Sequence, residues 1–238
     1  MTYPLILQIE TSGDFCSVAL SAGEECMAWM ETSTVRNHAT MLTPLIEALL
    51  VQEKITVAQL AAIAVSIGPG SYTGLRIGVS TAKGLCFGAG IPLIAVPTLK
   101  AMARRLLCQT PKTEQNTLIC PMIDARRMEV YTALFDTHLN TVKDTVAEII
   151  DEHSFESELA CGTIYFAGNG ADKCKKIITH PHAIFPDSCI FSAKDLIPDA
   201  WQAFQTGKFA DVAYTEPFYL KDFMAGPHGR NIKKAGFL

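Results

Sequence analysis

Two segments of this chain follow one plan, and that plan limits the fold more than any other feature. Leu5–Glu10 (LILQIE) is an apolar run ending in a carboxylate, followed by turn residues 11–14 and a strand-like alternation over Phe15–Ser21. Leu118–Asp124 (LICPMID) is again an apolar run ending in a carboxylate, followed by a turn and the alternating Val130–Asp136. Later in each copy a short apolar run meets glycines and then a helix: Ala64–Ile67 before Gly68-Pro69-Gly70, and Ile164–Ala167 before Gly168-Asn169-Gly170. Repetition at this scale implies a duplicated α/β fold: two lobes, each a mixed β-sheet flanked by helices, with a cleft between them.

The remaining elements fit that frame. Glu25–Thr32 reads as a third strand, and Met41, Leu42, Leu45, Ile46, Leu49 and Leu50 recur at helical spacing, so Ala39–Val51 is an amphipathic helix. Ala61–Ile67 is a continuous apolar run of the kind covered on both faces. Leu75–Gly90 is a helix, Leu93–Val96 a strand and Thr98–Leu107 a helix. The polar, proline-bearing stretch 109–117 is the natural linker, dividing the chain into a first lobe, 1–108, and a second lobe with a basic tail, 109–238.

Composition excludes several classes. With 49% hydrophobic and 18% charged residues, the 238-residue chain can bury a full core and is not disordered. Its net charge of −4 argues against unaided, tight nucleic-acid binding, which needs a concentrated basic face. The run from Ile55 to Leu75 is broken by Gly-Pro-Gly and is no membrane span, and MTYPLILQIE lacks the basic start and long apolar stretch of an export signal. Eight cysteines without a CxxC pair read as reduced, mostly buried thiols, and the expected location is the cytoplasm.

The sharpest motif is Ser66–Gly78. Gly68 and Gly70 permit positive φ or close backbone approach, Pro69 stiffens the loop, and Ser71 or Thr73 can cap the helix that carries Arg76. The loop reads either as a phosphate or carboxylate site or as a well-capped strand-to-helix turn. It is no Walker A loop, since no Gly-Lys-Ser/Thr closes it. Gly74, Gly78 and Ala82 fall at i, i+4 and i+8, beside Leu75 and Val79, leaving a smooth strip for another backbone, within this chain or on a second protein. Glu10 and Asp124 end matching strands; such acids can hold Mg²⁺ or orient a water, or can simply pair with Arg126 or Arg127. No HExxH or HxxxH occurs, His180-Pro181-His182 reads as an exposed loop, and no nucleophile elbow is present. Lys221, Arg230, Lys233 and Lys234 make the tail basic, either a contact for RNA phosphate or a loosely attached terminus.

Together ILQIETSGDFCSVAL, SIGPGSYTGLRIGVSTAKGL, AVPTL and DARRMEVY resemble the bacterial TsaB (YeaZ) family, over most of 5–136 and with greatest specificity at 66–85; beyond AGNGADK the likeness loosens. The resemblance implies the actin/sugar kinase/Hsp70-like (ribonuclease H-like) fold and a non-catalytic subunit of tRNA threonylcarbamoyladenosine synthesis. It implies pairing with the catalytic paralogue TsaD, and self-association, through the helices at 39–51 and 75–90, with Met41, Leu42, Leu45, Gly74, Leu75, Gly78, Val79 and Ala82 as contacts. TsaD would carry the metal, bind threonylcarbamoyl-adenylate and transfer the group to the adenosine 3′ of the anticodon, with the ATPase TsaE joining the complex and tRNA reached through it. Where TsaD keeps HxxxH, this chain has Lys100-Ala101-Met102-Ala103-Arg104, and where the family motif has Asp it has Glu10. No tightly held cofactor is expected; weak ATP or ADP binding would fall to Glu10, Thr11, Ser12, Asp124, Gly168 and Gly170 in the cleft. The rival readings are an actin-like kinase or ATPase using Glu10 and Asp124, and a metallo-glycopeptidase.

Overall fold

The computed structural model describes residues 3–32, 37–110, 116–186 and 190–220. Its first sheet has the order β3-β2-β1-β4-β5, formed by Leu5–Glu10 (β1), Ser17–Ala22 (β2), Glu25–Glu31 (β3), Ala62–Gly68 (β4) and Leu93–Pro97 (β5). The second, read in the same sense, is β8-β7-β6-β9-β10: Leu118–Asp124 (β6), Glu129–Asp136 (β7), Thr141–Ile149 (β8), Ile164–Ala167 (β9) and Ala183–Ile184 (β10). In both, the central strand pairs antiparallel with its hairpin neighbour and parallel with the strand that follows. The duplication visible in the sequence is therefore a duplication of topology.

Helices α1 (His38–Glu53) and α2 (Tyr72–Ala89) cover one face of the first sheet. Alternation along β1 decides what they meet: Leu7 and Ile9 join Leu42, Ile46, Leu49, Val79 and Ala82 in one cluster. Ile6 points the other way, into a cluster with Ile94, Val96, Leu196 and Ala200. Gln8 and Glu10 share the parity of Ile6, and Gln8 is hydrogen-bonded to Ser21 at 2.8 Å.

Helix α3 (Thr98–Leu107) lies between the sheets. Leu99, Met102, Ala103 and Leu106 pack on Ile119, Ile123, Ala133 and Phe135 of the second sheet, while Ala101 packs toward the first. The second lobe adds two short helices, α4 (Glu156–Cys161) and α5 (Ala171–Cys174), against Cys120, Met122, Val130 and Phe166. The helix expected after Gly170 is thus only four residues long.

Residues 193–205, placed by sequence in the second lobe, return to the first. A 3-10 turn at Ala193–Leu196 and helix α6 (Ile197–Gln205) pack against β1, β2 and β5. Arg104 on α3 binds Asp199 on α6 through two hydrogen bonds of 2.7 and 3.1 Å, joining the segments. The chain then crosses the first lobe: Ala210 bridges Leu93, Lys83 Nζ donates to the carbonyls of Ala213 and Thr215, and Phe218 N–H donates to Ile67 O. The Lys221–Lys234 charges lie outside the described residues.

Among the described cysteines, Cys16, Cys86, Cys120 and Cys174 are buried and Cys26, Cys108 and Cys161 exposed, so burial is less general than the sequence suggests. Burial pushes the Cys16 thiol up to about 12 and those of Cys86 and Cys174 to about 11, which keeps them protonated and unreactive. No described helix is long and apolar enough to cross a membrane.

Candidate functional site

The glycine motif turns out to be a clamp on the end of β1. Gly68, at φ +115°, donates its N–H to Thr98 Oγ1, and the Gly68–Pro69 peptide is cis. Ser71 N–H donates to Ser12 O at 2.8 Å, and a Cβ at Gly70 would lie 2.7 Å from Ser12 Cβ. Ser71 caps α2 by accepting from Gly74 N–H, while Thr73 and Arg76 are exposed on its first turns. Thr11 Oγ1 donates to Gly74 O, and a Cβ at Gly74 or Gly78 would sit 2.0 Å from Thr11 O or 2.2 Å from Thr11 Oγ1. The loop's N–H groups at Gly68, Ser71 and Gly74 are each hydrogen-bonded within the chain, as in a well-capped strand-to-helix turn.

That arrangement corrects the expected interface. Gly74, Leu75, Gly78, Val79 and Ala82 are buried within this chain, as is Leu42 on α1, while Met41 and Leu45 are half-buried. The close backbone approach that the strip was built for is to Thr11. The outward face of α2 carries a different small-residue row, Ser80, Gly84 and Gly88, again at i, i+4 and i+8. A Cβ at Gly84 or Gly88 would meet nothing within 4 Å. Phe87 stands beside them, 86% exposed, and α1 alongside presents Pro44, Ala48 and Val51, the last 70% exposed.

The cleft is the second site. A cavity of about 360 Å³ is lined from the first lobe by Glu10, Ser12, Gly13, Asp14 and Phe15, and from the second by residues including Phe166, Gly168 and Asn169. Glu10 is 2% exposed; its Oε1 accepts from the N–H and hydroxyl of Ser12, both at 2.5 Å, while Oε2 has no hydrogen-bond partner. Ser66 Oγ faces the same carboxyl without reaching hydrogen-bond geometry. Burial raises the Glu10 pKa, the Ser12 and Ser66 hydroxyls partly offset this, and Asp195 adds a like charge.

A raised folded-state value means the protonated form is favoured on folding. The contribution of Glu10 to stability is therefore complete below its unfolded value, about 4.3, and is lost as pH rises through the folded one. Glu10→Gln, which cannot ionise, is expected to gain stability relative to the parent in urea melts as pH rises from about 4.3 toward the folded-state value. A difference that stays flat or shrinks across that range contradicts this account.

Asp124 does not join Glu10. Its Oδ1 is bound by Lys173 Nζ, which also donates to Arg127 O and Glu129 O at 2.7 Å. Lys173 thereby pins a hairpin whose tip residues, Arg126 and Arg127, both hold positive φ. The pairing expected from Arg126 or Arg127 is supplied by Lys173 instead. Gly170 packs on its own lobe, its N–H donating to Met122 O, while Gly168 at φ +111° lines the cavity. Asn169 spans the lobes: its Oδ1 accepts from Asp124 N–H and its Nδ2 donates to Asp14 Oδ2 at 3.5 Å.

Comparison with known proteins places this architecture. Residues 31–215 match the family model described as TsaD: tRNA N6-adenosine threonylcarbamoyltransferase. The chain is also 31% identical over 227 residues to the tRNA threonylcarbamoyladenosine biosynthesis protein TsaB of Escherichia coli (strain K12), covering 92% of this chain and 96% of that protein. The chain belongs to the TsaB family. YeaZ from Pseudomonas aeruginosa superposes with a TM-score of 0.78 at 25% identity, covering 91% of this chain and 100% of that one. The activator of the 2-hydroxyisocaproyl-CoA dehydratase from Clostridium difficile, with bound ADPNP, shares the fold at a TM-score of 0.50 and 12% identity, covering 86% of this chain and 96% of that one. The expected two-lobed, actin-like architecture is the observed one.

In this TsaB-family chain, sequence reasoning missed Asn169 and Lys173, although both stand in AGNGADK, and it missed Ser80, Gly84 and Phe87 on the outer face of α2. His180 and His182 sit in a loop, their rings 5.1 Å apart, with His182 Nδ1 at 3.0 Å from Leu159 O. No group of three or more His, Cys, Asp or Glu among the described residues is arranged to hold a metal ion.

Proposed function

We propose that this chain is an accessory subunit of tRNA threonylcarbamoyladenosine biosynthesis, docking a TsaD paralogue through the outer faces of α1 and α2. The observation that carries the reading is the open row Ser80, Gly84, Gly88 beside the exposed Phe87 and Val51. Two exposed helical glycines cost about 1 kcal/mol each against alanine, and no described residue uses the space they leave. A helix from a second protein would use it, with Phe87 as an aromatic anchor. In the absence of TsaD the same face pairs two copies; TsaE joins the complex, and tRNA is reached through it in the cytoplasm.

The reading assigns this chain no transfer chemistry and no tightly held cofactor. Its support lies in where the two strand-end acids stand: Asp124 is bound by Lys173 away from the cavity, so the two carboxylates are not brought together. It also lies in α3, where Lys100 and Arg104 stand one turn apart and Arg104 is committed to Asp199. The test is reconstitution of threonylcarbamoyl transfer with TsaD and TsaE from the same organism. Modification is expected to need this chain, to survive Asp124→Asn, and to fail with Phe87→Glu. Full activity without this chain, or loss of turnover in Asp124→Asn with docking intact, contradicts the proposal.

A further inference from the structure

The cleft of an actin-like fold invites comparison with a nucleotide site, yet the groups around this cavity suit the opposite charge. Two backbone N–H donors at its edge are committed, Ser12 N–H to Glu10 and Gly170 N–H to Met122 O. Lys173 is held by Asp124 and two carbonyls. Among the described residues, the charged groups lining the cavity are Glu10, Asp14 and Asp172 against Lys175. Four phenylalanines, Phe15, Phe166, Phe185 and Phe191, join Met102 and Ile123 on the wall, Phe166 stacked on Phe185 at a centroid distance of 5.0 Å, beside the polar Ser12 and Asn169.

Within that wall Glu10 is the unfinished group. It is almost fully buried, it lines the cavity, and Oε2 lacks a donor. An orphaned carboxylate oxygen in an apolar surround is costly unless a hydrogen-bond donor or cation reaches it. From this juxtaposition we infer that the cleft binds a small aromatic molecule bearing a protonated amine, its ring among the phenylalanines and its ammonium on Glu10 with Asp14 nearby. The cavity is at the small end of the range that ligand pockets occupy, about 300–1,000 Å³, which fits one ring system with a short arm.

Gly13 supplies a clean handle, because it lines the cavity and a Cβ there would meet nothing within 4 Å. Gly13→Leu sets a bulky side chain where its Cβ has open space, and Glu10→Gln removes the ionisable group while keeping the shape. The experiment is titration calorimetry of the full chain with phenethylamine, phenylacetate and Mg-ATP. Phenethylamine is expected to bind and phenylacetate not, with affinity falling at least tenfold in Glu10→Gln and vanishing in Gly13→Leu. Both variants leave the α1/α2 face untouched, so docking of TsaD is expected unchanged and the two proposals fail separately. Absence of phenethylamine binding, equal binding of phenylacetate, or persistence of binding in Gly13→Leu overturns the inference. So does Mg-ATP binding that Gly13→Leu abolishes, which would make the cleft a nucleotide site after all.

Discussion

Gly74→Ala is expected to destabilise this chain by about 3 kcal/mol or more, although it adds a single methyl group to a helix. The added carbon would lie 2.0 Å from Thr11 O, and that oxygen belongs to backbone, which cannot swing aside like a side chain. Relief requires α2 to move off the end of β1. That breaks the Thr11 Oγ1 to Gly74 O bond and disturbs Leu75 and Val79 in the core. At ~2–4 °C per kcal/mol for a chain of this size, the melting temperature should fall by roughly 6–12 °C. Gly84→Ala, ten residues further along the same helix, is expected to raise stability by ~0.5–1 kcal/mol, since its new carbon meets nothing. Thermal melts of the two variants read the opposite signs directly; the same sign for both would contradict the inward and outward assignment of the two small-residue rows.

The second large effect concerns association. Phe87→Glu is expected to leave stability within the range of ordinary surface substitutions, about ±0.5 kcal/mol, and Gly84→Leu to leave it unchanged or to raise it by up to ~1 kcal/mol, because both positions are exposed. Each is expected to weaken docking of TsaD by about 2 kcal/mol or more, roughly 30-fold, the first by filling the space for a facing helix and the second by charging the aromatic anchor. Equilibrium titration by fluorescence anisotropy of labelled TsaD checks this, and an unchanged dissociation constant in both variants would remove the face from the account. A substitution at Gly78 cannot serve here. Its Cβ would meet Thr11 Oγ1 at 2.2 Å, so loss of binding would report damage to the fold.

How far the sequence was readable follows from what kind of information each feature carries. The duplication was legible because apolar runs, strand-end acids and glycine turns are local and recur in order, and the two sheets share one strand order. The direction of the α2 glycines was not. Two rows of small residues, 74-78-82 and 80-84-88, have the same spacing, and only the position of Thr11 shows which faces inward. The pairing of Glu10 with Asp124 failed for a reason of register. LILQIE has six residues and LICPMID seven, so side-chain alternation sends Glu10 to the face of Ile6, toward the cleft, and Asp124 to the face of Cys120 and Met122, toward Lys173. The return of residues 193–205 to the first sheet was invisible as well, because a short helix carries no mark of which sheet it will cover.

Multi-angle light scattering on a size-exclusion column tests the central claim most directly, run on this chain alone, on its mixture with TsaD from the same organism, and on the same mixture with Phe87→Glu. The account predicts a hetero-complex with the parent chain and separate elution of the two proteins with the variant, whose melting temperature is unchanged. A complex of unaltered mass and affinity with Phe87→Glu and Gly84→Leu would contradict it and move the docking surface away from α1 and α2.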